Sequence, residues 1–207
     1  MSDEIVTDAE APEEGADPVA YTPELVQSLI EELSCSSRRR RQDAGFEVVS
    51  IAHAAPELLE PHVDALVDAL YRPEAQTRWE ALDALTTLVP LYSDKTFGAF
   101  EGAEAALFDE SSATVRLAAF LFLARYASVA PDRSDEAWPL LDEAIQCFHG
   151  DAEYHDMLVG LLEMAGGSIS DATAQALAER VSFDAENGSS FIKTYSEKII
   201  DAVKAER

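Results

Sequence analysis

The chain has 207 residues, 47% of them hydrophobic, and its 40 acidic against 15 basic residues give a formal net charge of −25. That apolar content is enough for a buried core and excludes wholesale disorder, while no uninterrupted apolar run reaches the roughly 18 residues of a membrane span. A surface this acidic repels nucleic acid and anionic membranes at long range, so neither is expected as a partner.

Residues 1–20 hold seven acids, no bases, and Pro12 and Pro18 among small residues. Such a segment buries too little apolar surface to offset its ordering entropy, so it is expected to be a disordered acidic tail, with the folded unit over 21–207. Its start has neither the basic nor the apolar region of a signal peptide. The two cysteines, Cys35 and Cys147, are too few and too far apart for a disulfide framework, and a reduced cytoplasm is the expected compartment.

Tyr21-Thr22-Pro23 opens the first helix, with Thr22 as N-cap and Pro23 at the first helical position. Leu25, Val26, Leu29, Ile30 and Leu33 follow at helical spacing. A first repeat begins at Ser36-Ser37, runs through Phe46, Val48 and Ile51 to Pro56, and returns in a second helix opening at Pro61. A second begins near Pro73-Glu74, carries Trp79, Leu82, Leu85 and Leu88, turns at Pro90, and returns from Ser93-Asp94 to about Phe108. In the third, Leu117 to Ala124 is apolar on every side, which predicts a helix covered all round. Pro131 is expected to end it, and a partner helix to run from about Asp135 or Trp138 to Phe148. The fourth spans Tyr154 to Met164, a Gly166-Gly167 stop, and a helix from Ser170-Asp171 to Val181. After Asn187-Gly188, a last helix from Ser190 to about Ala205 forms the first half of a fifth unit.

These segments share a block. Arg41-Gln-Asp-Ala44, Arg78-Trp-Glu-Ala81, Arg116-Leu-Ala-Ala119 and the weaker His155-Asp-Met-Leu158 recur at intervals of 37, 38 and 39 residues, and Lys193 continues the series 38 residues on. A period in that range with two helices per unit predicts an α-solenoid with one continuous core. About ten helices in four repeats are expected, with half-repeats at either end as caps. The small Ala44, Ala81 and Ala119 let neighbouring helices approach closely. Arg41, Arg78 and Arg116 are expected to bind acceptors left open in the adjacent turn, as structural residues.

Asp109-Glu-Ser-Ser-Ala-Thr-Val115-Arg116-Leu-Ala-Ala119 resembles the start of a HEAT repeat, and over residues 22–205 the chain is similar to that superfamily. The resemblance implies an all-α, armadillo-type superhelix that binds proteins along a concave face of second helices. Among short HEAT-like proteins, some resemble bilin-chromophore lyases and others are DNA-alkylation glycosylases. It therefore also implies an alternative: a lyase, or a regulatory subunit or assembly factor of a larger enzyme. The glycosylase version needs a basic groove that this composition does not supply.

The residues themselves favour a non-enzymatic scaffold for a protein partner, with a basic segment matching the negative field. No carboxylate pairs with a Ser, Cys or His in a catalytic pattern, and there is no glycine-rich phosphate loop. No cofactor is expected. His149, His155 and Cys147 match no closed metal site, so no metal is expected either. Arg38-Arg39-Arg40-Arg41 is the only basic run; its first three members are candidate partner contacts, or are compensated by Glu31 and Glu32, and the acidic tail is a candidate to fold onto them. Trp79 is expected in the core, and Trp138, beside Pro139, as a half-exposed contact anchor. The acidity itself fits either a salt-adapted or otherwise acidic proteome or selection by a basic partner.

Overall fold

The computed structural model of the protein describes residues 21–205; the expected acidic tail lies outside them. Among the described residues there are α-helices and 3₁₀ turns and no strand. In chain order the helices are α1 (Pro23–Leu33), α2 (Arg38–Ala54), α3 (Val63–Ala69), α4 (Ala75–Leu88), α5 (Ser93–Thr96), α6 (Phe100–Leu107), α7 (Ala113–Ala127), α8 (Pro131–Phe148), α9 (Tyr154–Ala165), α10 (Asp171–Asn187) and α11 (Ser190–Ala205). The hydroxyls of Thr22, Ser37, Ser112 and Ser170 accept a backbone N–H of the first turn of α1, α2, α7 and α10, satisfying donors that a helix start leaves open.

The return segments depart from expectation. The first is two 3₁₀ turns, Pro56–Leu58 and Glu60–His62, before the short α3, rather than a helix opening at Pro61. The second is broken into α5, a 3₁₀ turn at Phe97–Ala99, and α6. There the Thr96 hydroxyl bonds back to the carbonyls of Tyr92 and Ser93, competing with the helical ladder, and Gly98 follows. In the third, Pro131 opens α8 instead of merely closing α7, because a proline at the first helical position lacks only an N–H that would be unpaired there.

The helices form two layers. The helices that open with the repeated block, α2, α4, α7 and α9, with α11, stand side by side in that order, each packed along its neighbour. The second layer, α1, α3, α5–α6, α8 and α10, backs them, and its members touch one another more sparsely. In a curved two-layer stack, the layer whose members lie closer together is the inner one. This places the block-bearing helices inside, whereas the resemblance implied a concave face of second helices. Small residues make the approach possible. Ala44, Ala81 and Ala119 are buried, Gly45 faces the Glu80 carboxylate, and a Cβ at Gly160 would lie 2.7 Å from Leu121 Cδ2.

The repeated arginines tie the units together. Arg41 donates from Nη1 to the Cys35 carbonyl at 2.7 Å and from Nε and Nη2 to the two oxygens of Glu74, one repeat on. Arg78 reaches Asp109 Oδ2 at 2.6 Å. Arg116 donates to the Asp109 carbonyl at 3.0 Å and pairs with Glu153 at 3.6 Å. Hydrogen bonds from Ser111, with help from Arg78, hold the Asp109 carboxyl down at about 2. In the fourth unit this lattice ends: His155 instead stacks on Phe191 with ring centroids 3.8 Å apart.

Candidate functional site

The solvent face of the inner layer carries a trough. Each helix contributes a stripe with the 3–4–7 spacing of one helical side: Gln42 and Phe46 on α2; Gln76, Trp79, Asp83 and Thr86 on α4; Leu117, Leu121 and Arg125 on α7; Asp156, Val159 and Glu163 on α9. Three adjoining depressions follow these stripes. The first lies between α1, α2 and α4 around Phe46 and Gln76. The second lies between α4 and α7 around Trp79 and Leu117. The third spans α4, α7 and α9 and shares Thr86 and Leu121 with the second.

Two properties mark the trough. It is apolar where a surface is ordinarily polar: Phe46 is 62% exposed, and Trp79, Leu117 and Leu121 are half-buried. It is also acidic. Asp43, Glu47, Asp83, Asp156 and Glu163 line it, and the bases near it are engaged, Arg39 with Asp43 at 3.7 Å and Arg125 with Glu163 at 2.9 Å. Burial raises the Asp83 carboxyl above its ordinary range, against the weaker opposing field of His53. Below the surface, Glu80 is likewise raised by burial. It accepts from Gln76 Nε2 at 2.9 Å, while its other oxygen has no partner.

Two expectations change here. The helix predicted to be covered all round, α7, buries Phe120, Phe122 and Leu123 but leaves Leu117, Ala118 and Leu121 half-open to the trough. Trp79 packs against the core with one side and walls the trough with the other. Periodicity does identify both as apolar positions; it does not reveal that the neighbouring helices leave this side uncovered. The available signal is the pair Trp79 and Asp83, an aromatic and an acid one turn apart on a stripe that also carries Gln76 and Thr86.

The arginine run separates by residue. Arg40 is held by Glu32 at 2.7 Å, Arg39 by Asp43, and Arg41 is buried on Glu74; Arg38 is exposed at the start of α2. Trp138 is half-buried against the core from α8, in the second layer and away from the trough. His149 Nε2 lies 3.0 Å from the buried Asp184, which also accepts from the Tyr154 hydroxyl at 2.6 Å. This network joins the end of α8, the start of α9 and α10. No group of three or more potential metal-ligating side chains occurs among the described residues, and no described helix is long and apolar enough to cross a membrane.

No protein-family model matches the chain, and no curated protein matches it in sequence. Solved structures do resemble it. A computationally designed armadillo repeat protein for modular peptide recognition superposes with a TM-score of 0.69 at 16% identity, covering 86% of this chain and 82% of that one. A designed armadillo repeat protein in complex with the peptide (KR)4 gives 0.69 at 17% identity, covering 87% and 82%. An engineered protein of structural-genomics origin gives 0.65 at 19%, covering 88% and 80%. In fold, therefore, the chain is an armadillo/HEAT-type helical-repeat protein, an all-α superhelix.

Proposed function

We propose that this protein is a non-enzymatic scaffold or adaptor that holds an extended, basic segment of a protein partner in the trough formed by α2, α4, α7 and α9. The observation that carries the reading is the uncovered apolar stripe of α7 lying beside carboxylates on α4 and α9. Such a stripe is costly to leave in water, and the acids around it complement a cationic ligand. Helices packed at about 8–10 Å span roughly two to three residues of an extended chain at about 3.4 Å each. A segment of eight to ten residues would thus cross the four helices. The likeness to a designed repeat protein bound to (KR)4 supports the same class of ligand. Arg38 and Arg39, at one end, would meet acidic residues flanking that segment, and the working compartment is the cytoplasm.

The test is a fluorescence-anisotropy titration of labelled (KR)4 and (ED)4 peptides against the full chain and against the Asp43→Asn, Asp156→Asn, Glu163→Gln triple variant. The expected result is saturable binding of (KR)4 alone, weakened about tenfold or more in the variant, the scale of one to two lost charge contacts. Equal affinity in both proteins, or equal binding of (ED)4, would count against the trough.

A further inference from the structure

Within the trough, and resting on the reading of it as a basic-segment groove, we infer that the depression between α4 and α7 is a side-chain pocket for one arginine, which fixes the register of the bound segment. The cavity measures about 230 Å³, below the roughly 300–1,000 Å³ of pockets for drug-sized molecules, so it suits a single long side chain. Trp79 forms one wall and Leu117, Ala118 and Leu121 the other, and Asp83 is its only charged lining residue. Among the described residues no ion pair engages Asp83. Only the weaker field of His53 opposes its burial, and a carboxylate set in apolar walls without an ion pair can accept a cation.

The walls decide which cation. Lysine presents a compact, strongly hydrated ammonium that loses water poorly among leucines. A guanidinium is planar and more weakly hydrated, stacks on an aromatic face, and directs a fork of N–H groups at a carboxylate. Trp79 and Asp83, one helical turn apart on the same face of α4, offer the stacking surface and the acceptor in the order such a group needs. The arrangement occurs once. The corresponding positions are Gln42 and Phe46 on α2, Leu117 and Leu121 on α7, and Asp156 and Gly160 on α9. The other repeats can hold backbone, stems or diffuse charge, but α4 alone offers this pairing.

The experiment compares octalysine with octalysine carrying one central arginine, by calorimetric titration against the full chain. The single arginine is expected to tighten binding about tenfold, the scale of one charge-assisted hydrogen bond. The gain should vanish in Asp83→Asn, an isosteric change of a half-exposed residue, and in Trp79→Phe it should shrink. It should persist in Glu104→Gln, which removes the same charge from an exposed position on α6. In a Trp138→Phe background, the remaining Trp79 emission should respond to the arginine peptide more than to octalysine. Binding of both peptides with no arginine preference, or a preference that survives Asp83→Asn, overturns the pocket and leaves the groove reading standing. If neither peptide binds, both readings are overturned.

Discussion

Removing Arg41 should be among the most damaging single truncations in the chain, and the reason lies in what it leaves behind. Arg41 and Glu74 are each 8% exposed, and the guanidinium makes two bonds to that carboxylate and one to the Cys35 carbonyl. Arg41→Ala strands a buried anion and an unpaired carbonyl in the seam between α2 and α4. Breaking a buried pair from one side costs about 3–5 kcal/mol; the slight exposure of both groups argues for the lower end, about 3 kcal/mol at pH 7. Arg41→Lys keeps the charge but loses the fork, and should cost about half as much. The pH dependence has a definite sign. Arg41 holds the Glu74 carboxyl below its ordinary value, so the stability it confers is present above the ordinary carboxylate range, starts to fall within that range and is lost as pH drops through the lowered value. The gap between wild type and Arg41→Ala should therefore narrow from pH 7 to pH 4. Urea unfolding followed by far-ultraviolet circular dichroism at both values measures it. A loss below 1 kcal/mol at pH 7, or the same loss at both, would refute the reasoning.

Ser111→Ala removes the largest influence holding Asp109 at about 2. Its carboxyl midpoint, followed by carbon NMR, should climb toward the ordinary carboxylate range, and the variant should lose less stability than wild type between pH 4 and pH 2. Gly150, the turn between α8 and α9, has φ +95°. Gly150→Ala should lower stability by about 1–2 kcal/mol in urea unfolding, although no side chain stands in its way. Tyr154→Phe deprives the buried Asp184 of a donor at 2.6 Å and should cost about 1–3 kcal/mol, with amide exchange rising first at the start of α9.

The period of the arginine blocks reveals the architecture because the blocks at Arg41, Arg78 and Arg116 play one structural role. Each arginine spans to the turn opening the next unit, and each alanine sits where two helices meet. What the sequence conceals is coverage. Leu117 and Leu121 have the same spacing as core leucines, and only the placement of α4 and α9 beside them shows that one side of α7 stays open. Phase is hidden for a similar reason, since which layer is inner depends on how closely Ala44, Gly45, Ala81 and Gly160 let their helices approach. A further signal is readable in the sequence. Opposite charges recur one repeat apart, as Arg125 with Glu163, Asp142 with Arg180, and Asp94 with Arg133, and this register predicts lateral ion pairs between adjacent units.

The most direct test of the trough as the working surface is to map where a basic peptide binds. A two-dimensional amide and indole NMR titration of the full chain with (KR)4 should shift the Trp79 indole and the amides of Gln76, Asp83, Leu117, Leu121 and Asp156. The second-layer helices α3, α6, α8 and α10, including the Trp138 indole, should stay in place. Shifts concentrated on the second layer, or spread evenly over the acidic surface, would contradict the account.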